Sequence, residues 1–321
     1  MVEVRNLTKV YRSGGIIKTR HTAVEGVSFC LEQNHTLGII GESGCGKSTI
    51  ANLIMRLIRP TSGEVLMVGT DTADLKGQTL KKYRKNVQII FQNPESSLDP
   101  RMTIRTSIRE ALRNYHIVRL NTPEERQFLS TLMETVGLQE EQLDRYPREL
   151  SGGQIQRAVL ARIIALKPSV LIADEPTSML DVSVQAQILD LMQRMKEELN
   201  LAILFISHDL DVVRIFCDEV MVMYRGRIVE YGNTAEVLEQ PLHPYTKSLI
   251  DGFYNLDCNV LVADEKAVRQ ITSDKKEDRN GCLYKEYCSC RAEKCESVTR
   301  FLKPETGKHV SLCCQIQAHI D

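Results

Sequence analysis

The chain has 321 residues, 42% of them hydrophobic, with 41 basic and 42 acidic side chains and a net charge of −1. That apolar fraction excludes global disorder, and the length fits one large or two modest domains. The charge balance leaves no electrostatic footprint for nucleic acid or an anionic membrane surface, and no apolar run reaches the roughly 18 to 20 residues of a membrane helix. Met1-Val2-Glu3-Val4-Arg5 alternates like a strand and lacks the apolar core of a signal peptide, so a cytoplasmic protein is expected. Residues 1 to about 35 read as strands and turns, with Ser13-Gly14-Gly15 as a loop. Thr36 to Ile40 is a short buried strand running into the loop Gly41 to Gly46. Ile50, Leu53, Ile54 and Leu57 predict a helix that ends before Pro60. Val87 to Phe91 is another strand. From Gln92 to about Leu166 helical signals replace strand signals, which predicts a helical insertion. Val170 to Ala173 returns to the sheet, and Val184, Ile188, Leu191, Met192, Met195 and Leu199 form a helical stripe. Ala202 to Ile206 is the next strand, and Val220–Met223 and Arg227–Tyr231 flank a hairpin signal at Arg225-Gly226. This alternation predicts an α/β fold with a largely parallel sheet. Asp264 to Asn280 is charged and reads as a linker to a cysteine-rich tail.

Gly41-Glu42-Ser43-Gly44-Cys45-Gly46-Lys47-Ser48 fits G-x-x-x-x-G-K-[ST] between a predicted strand and helix. Glycines let the backbone curl so that successive N–H groups face phosphates. Lys47 supplies a point charge at the β and γ phosphates, and the Ser48 hydroxyl is a Mg²⁺ ligand; Thr49 continues this phosphate-facing turn. Cys45 inside the loop contributes its backbone; a redox role is the alternative. Val170-Leu171-Ile172-Ala173-Asp174-Glu175 is an apolar strand ending in two acids. Asp174 is placed for the Mg²⁺ shell and Glu175 to polarise a water for in-line attack, although acids after a strand also suit a helix start. The Gln92 amide is within reach of Mg²⁺ or the attacking water. His208 follows a strand at the sheet edge where such folds place ligands and reads as a γ-phosphate contact. Tyr11 either stacks on adenine or fills the core. Leu150-Ser151-Gly152-Gly153-Gln154 opens a segment with Ile155, Val159, Ile163 and Leu166 at helical spacing. Ser151, Gly152, Gly153 and Gln154 thus form a second helix start that offers N–H groups and positive dipole to an anion.

Taken in order, the Gly41–Ser48 loop, Gln92, Leu150–Gln154, Asp174-Glu175, Ser178-Met179-Leu180-Asp181 and His208 make residues 1 to about 250 resemble the ATP-binding subunits of ATP-binding-cassette transporters. Three segments resemble the oligopeptide, dipeptide and nickel importers, and most of all the second of their two ATPases: Phe91 to Met102, Asp181 to Gln187, and His243-Pro244-Tyr245-Thr246. The resemblance implies a P-loop NTPase core with a mixed sheet, an N-terminal antiparallel β region and a helical subdomain at about 92–166. It implies a head-to-tail ATPase pair, with ATP and Mg²⁺ between the Gly41–Ser48 loop of one subunit and Ser151–Gln154 of the other, and Asp181 in the dimer contact. It further implies a second, paralogous ATPase subunit, two membrane permeases, an extracytoplasmic solute-binding protein and a place on the cytoplasmic face of the membrane. Met179 and Ile155 depart from the commoner alanine and arginine of that family.

Six of the 10 cysteines fall between Cys282 and Cys314. Cys282, Cys288, Cys295 and Cys313 have a spacing that suits an Fe–S cluster better than zinc, which favours closer pairs; unligated thiols remain an alternative. The tail also resembles the C-terminal extension of the peptide-importer ATPases, which implies a [4Fe–4S] cluster, with Gly307-Lys308-His309 leading to Cys313 and Cys314 as an alternative fourth ligand. Cys30 and Cys217 read as core. The expected organisation is a nucleotide-binding domain at 1–250, a linker at 251–281 and a cysteine-rich extension at 282–321. The competing functions are a soluble ATPase of the same family acting on nucleic acid or ribosomes, and an ATP sensor without hydrolysis. A single cassette, no coiled coil and the lack of a basic patch oppose the first; Glu175 and His208 oppose the second.

Overall fold

The computed structural model describes residues 1–13, 19–254, 279–298, 301 and 309–314. Gly14 and Gly15 of the first expected loop, most of the expected linker, Cys258, and Gly307 and Lys308 lie outside the described residues. The chain divides into two compact units, Met1–Gly38 with Ser48–Ser207, and Ile39–Lys47 with His208–Asp321.

In the first unit, β1 (Val2–Ser13) pairs antiparallel with β2 (Thr19–Leu31). The strand β3 (Thr36–Ile40) is buried along its length and is cut by the division between the units. β4 (Ser62–Met67) and β5 (Thr70–Asp71), neither of them evident in the sequence pattern, complete the antiparallel order β2-β1-β4-β5. The helix α1 (Lys47–Ile54) buries Ile50, Leu53 and Ile54 but stops earlier than expected. Arg56 turns left-handed at φ 55° and leaves Leu57 48% exposed, so Leu57 is not a core residue. α2 (Gly77–Asn86) leads into β6 (Val87–Ile90).

β7 (Val170–Asp174) runs parallel to β6 with Val87 opposite Val170, and β8 (Ala202–Ile206) runs parallel to β7 with Val170 opposite Ala202. Every residue of β7 and β8 is buried, which explains their unbroken apolar runs: a parallel sheet is covered on both faces. Between β6 and β7 lies the expected helical region, α3 (Ile104–Tyr115), α4 (Pro123–Thr135) and α5 (Gly152–Ile164). Glu125 is buried in it, and the Arg109 guanidinium holds its carboxyl below the usual range. In α6 (Val182–Leu199) the stripe Ile188, Leu191, Met192 and Met195 is buried, and Asn200 closes the helix in the left-handed conformation.

In the second unit, α7 (Leu210–Phe216) precedes the expected hairpin of β9 (Glu219–Tyr224) and β10 (Arg227–Asn233). Its turn residues Arg225 and Gly226 have φ of 44° and 90°, the two positive values that match the twist of a tight hairpin. The chain continues through α8 (Thr234–Glu239) and α9 (Pro244–Tyr254). The tail then adds β11 (Val310–Ser311) antiparallel to β10. Parallel pairing in β6–β8 and antiparallel pairing in β9–β11 give the mixed character expected of the fold.

A buried polar knot holds α9 and the tail to β10. The Glu230 carboxylate is fully buried and accepts the backbone N–H groups of Leu242 at 2.7 Å and His243 at 2.8 Å. It also lies 2.6 Å from His309 Nε2. His243 Nδ1 accepts the Tyr245 N–H at 3.1 Å, which caps α9 just ahead of Pro244 at its first position. Burial pulls the His243 pKa down to about 4. In an unfolded chain it sits near about 6.5, so the unfolded state takes up the proton first as pH falls. Stability present above about pH 6.5 is therefore lost progressively on the way down to about 4. His243→Asn keeps a capping oxygen and has nothing to titrate. Thermal unfolding at two pH values in that window should show a smaller acid loss in the variant than in the parent, and equal losses would remove His243 from this effect.

Candidate nucleotide site

The phosphate loop is held from behind by residues that follow it by about 180 to 200 positions in the chain. Gly41 has φ 146°, and a Cβ there would lie 2.2 Å from the Met223 carbonyl oxygen, so only glycine fits against β9. The Cys45 carbonyl accepts the N–H of Gly226 in the hairpin turn at 2.8 Å, and the Tyr245 phenol oxygen accepts the Glu42 N–H at 3.1 Å. Lys47 is buried, and its ammonium donates to the carbonyls of Gly41 at 2.7 Å and Glu42 at 2.9 Å. The loop thus curls around its own lysine. Glu42, Ser43 and Gly44 are exposed at its rim. Cys45 is buried, and burial, opposed in part by Lys47, raises its thiol pKa. A protonated, enclosed thiol is a poor redox centre, which leaves the backbone role. Ser48 and Thr49 stand in the first turn of α1, where free N–H groups and dipole favour an anion.

In the first unit, Asp174 ends β7 with its side chain buried, and Glu175 follows at φ 51°. A left-handed glutamate is strained, and such strain concentrates at functional sites. The Glu175 N–H is fixed to the Ile206 carbonyl at 2.9 Å, and Gln92 Nε2 donates to Glu175 Oε2 at 2.8 Å. Two residues separated by 83 positions are therefore brought together. His208 is exposed just beyond β8. Tyr11 is 39% exposed on β1, with the Lys9 ammonium 5.1 Å from its ring, so the core reading of Tyr11 is overturned. Cys217 is buried as expected, whereas Cys30 is only partly so.

The second glycine turn starts α5 with a reciprocal cap. Ser151 Oγ accepts the Gln154 N–H at 3.4 Å, and Gln154 Oε1 accepts the Ser151 N–H at 3.0 Å. Behind it Ile155, Val159, Ile163 and Leu166 are all buried. Gly153 is required for packing against the segment after Glu175, whereas a Cβ on Gly152 would make only an ordinary contact. A Cβ on Gly153 would meet Val184 Cγ1 at 2.6 Å, and one on Gly152 would touch Leu180 Cδ2 at 3.7 Å. Asp181, exposed, stands at the N-terminus of α6 between those two contacts. Met179, 70% exposed, and Val182, 84% exposed, flank it on the same surface.

The donor set fits Mg²⁺. A carboxylate at Asp174, a hydroxyl at Ser48 and an amide oxygen at Gln92 are hard oxygen ligands, and this ion takes few protein ligands beside substrate phosphates. The C-terminal thiols fit a metal cluster in type and not in placement. Cys282, Cys295 and Cys313 are buried and Cys288 is partly so. Cys295 Sγ lies 3.2 Å from Cys314 Sγ, which puts the alternative fourth thiol against Cys295. Burial, then the Cys295 contact, push Cys314 up to about 12. Among the described residues no group of three or more His, Cys, Asp or Glu is placed to hold a metal ion.

The packing of Gly41 separates two alanine variants. Gly41→Ala drives a methyl into a backbone carbonyl and is expected to cost about 2 kcal/mol or more together with nucleotide binding. Gly44→Ala meets no neighbour and carries only left-handed strain, about 1 kcal/mol. Denaturant unfolding of the two variants checks the order, and equal losses would contradict it.

The ABC transporter family matches residues 24–178, and the oligopeptide/dipeptide transporter C-terminal region matches residues 229–295. The dipeptide transport ATP-binding protein of Haemophilus influenzae is 42% identical over 294 residues, covering 92% of this chain and 89% of its own. An oligopeptide transport ATP-binding protein of Bacillus subtilis is 40% identical, with 98% and 96% covered. Among solved structures, a dimeric ATP-binding cassette in a post-hydrolysis state with ADP and Pi superposes with a TM-score of 0.65 at 29% identity, covering 73% of this chain and 99% of that one. Among the described residues no helix is long and apolar enough to cross a membrane. With the curled loop, the paired glutamine and glutamate and the capped second turn in one chain, and with relatives 40% and 42% identical over nearly its whole length, this chain belongs to the ABC transporter family of ATPases, in its oligopeptide and dipeptide branch.

Proposed function

We propose that this chain hydrolyses ATP to energise peptide import through a membrane transporter, with each ATP held between the Gly41–Ser48 loop of one ATPase subunit and the Ser151–Gln154 turn of the other. The observation that carries the hydrolytic role is the Gln92–Glu175 hydrogen bond of 2.8 Å at the strained end of β7. It fixes the orientation of the carboxylate that takes the proton in this reading. In this reading Glu175 polarises a water, the water oxygen bonds to the γ phosphorus, the bond from phosphorus to the ADP oxygen breaks, and the water proton passes to Glu175. Lys47 leaves the Gly41 and Glu42 carbonyls to pair with the β and γ phosphates, while His208 contacts the γ phosphate and Tyr11 stacks on the base. Ser48, Asp174 and Gln92 would hold Mg²⁺, which would supply positive charge against the phosphate oxygens. With a single loop and a single turn per chain, Ser151, Gly152, Gly153 and Gln154 serve the partner's nucleotide, and the exposed Met179, Asp181 and Val182 lie in the subunit contact.

The relatives named for dipeptide and oligopeptide transport support a peptide cargo and favour the transporter reading over one of nucleic acid or ribosomes. The assembly in this reading adds a paralogous ATPase, two permeases and a solute-binding protein, with this chain on the cytoplasmic face. The domain limits 1–250, 251–281 and 282–321 belong to the same proposal. A nickel cargo and a [4Fe–4S] cluster on Cys282, Cys288, Cys295 and Cys313 have only the sequence resemblance and spacing behind them, and no step above depends on either. Iron and sulfide in anaerobically prepared protein would support the cluster; colourless, iron-free protein would dismiss it.

Glu175→Gln should collapse hydrolysis by about a hundredfold or more while ATP-bound pairing persists. Size-exclusion chromatography with ATP beside a phosphate-release assay measures both. Unchanged turnover would take Glu175 out of its role. Lys47→Ala should weaken binding in titration with a fluorescent ATP analogue.

A further inference from the structure

The Glu42 peptide is gripped on both sides. In the peptide that joins Gly41 to Glu42, the Gly41 carbonyl takes the Lys47 ammonium at 2.7 Å, and the Glu42 N–H points at the Tyr245 hydroxyl at 3.1 Å, across 203 positions of sequence. Glu42 immediately follows Gly41, the residue that bends the chain against Met223. This peptide is where the chain leaves Gly41 and enters the turn whose N–H groups face the phosphates. The acceptor for its N–H therefore sets the direction in which the loop opens.

Tyr245 is built to stay in place. Its ring is 1% exposed and lies 4.4 Å from the ring of Tyr224, which follows Met223 on β9. The ring of Tyr284, in the C-terminal tail, meets it edge-on at 5.6 Å. Its own N–H is taken by His243, which in turn hangs from the buried Glu230. Cys282 Sγ stands 3.7 Å from the far nitrogen of His243. Burial pushes the phenol pKa up, so the oxygen remains a neutral hydroxyl. Such a hydroxyl accepts from a backbone N–H without placing negative charge behind a triphosphate.

We infer that Tyr245 is a positioning residue for ATP: its hydroxyl fixes the Glu42 peptide, and with it the curvature of the phosphate loop, from a scaffold of α9, β9 and the C-terminal tail. Tyr245 touches neither nucleotide nor water in this arrangement. It acts through the loop, and it gives the tail a direct mechanical purchase on nucleotide affinity. The inference rests on the proposal that the Gly41–Ser48 loop holds the triphosphate.

Tyr245→Phe keeps the buried ring and deletes the acceptor. The matched control is Tyr254→Phe on the same helix, where the lost hydroxyl donates to Asp211 at 3.0 Å and reaches no part of the loop. Full-length variants are compared by nucleotide titration and by steady-state ATPase kinetics. A part-buried N–H left without an acceptor should weaken ATP binding and raise KM by roughly tenfold. The kcat should stay within about twofold, because the loop binds ground and transition states alike. Tyr254→Phe should match the parent in both. A merely structural tyrosine would lower the melting temperature of Tyr245→Phe and leave KM unchanged, and that result overturns the inference. So does a loss confined to kcat. Lys47→Ala, run alongside, separates the two levels. If it abolishes binding while Tyr245→Phe binds as the parent does, only the positioning role fails. If it binds ATP normally, the loop reading itself fails and the inference falls with it.

Discussion

A peptide loop that presents its N–H groups to an anion must leave those groups unsatisfied by the protein, so its shape has to be imposed from behind. Here that constraint is met by contacts from β9, the hairpin turn and α9, together with the loop's own Gly41 and Lys47. The Met223 carbonyl excludes any Cβ at Gly41, the Gly226 N–H takes the Cys45 carbonyl, and the Tyr245 hydroxyl takes the Glu42 N–H. The hairpin turn and α9 are thus parts of the nucleotide site although neither carries a recognisable binding motif. The buried Glu230 knot matters for the same reason, since it fixes the start of α9 and therefore Tyr245.

A second constraint shapes the other unit. The turn at Ser151 satisfies its own ends through a reciprocal cap, and Gly153 lets Val184 approach while Gly152 lies beside Leu180. The turn and the exposed segment Met179–Val182 consequently form one packed surface. A change at the end of β7, where Gln92 and Glu175 meet, reaches that surface through only a few residues of chain. Under the proposed function, this proximity would couple hydrolysis to the subunit contact, with a two-state interface as the moving part.

Chemistry that depends on local spacing was legible in the sequence. The loop, the two acids at the end of an apolar strand, the hairpin at Arg225-Gly226 and the buried stripe behind Ser151 all appear where their patterns point. Features made by long-range contact were not. Nothing near Tyr245 announces a hydrogen bond 203 positions away, and a two-residue strand such as β11 has no periodicity to read. Leu57 fits a helical stripe, yet the chain turns left-handed at Arg56 before reaching it. Among the thiols, spacing left Cys313 and Cys314 as alternatives, and the turn after β11 brings Cys314 against Cys295. In each case tertiary geometry, which local pattern does not encode, made the choice.

The central claim is that the loop and the turn of one chain serve different nucleotides. Hydrogen exchange measured by mass spectrometry, with and without ATP and Mg²⁺, tests it most directly. In the isolated chain, ATP should protect the amides from Gly44 to Thr49 and leave those of Gly152, Gly153 and Gln154 unchanged. In the assembled ATPase pair both sets should be protected. Protection of the Gly152–Gln154 amides in the isolated, monomeric chain would contradict the claim, as would an unprotected Gly44–Thr49 loop at saturating ATP.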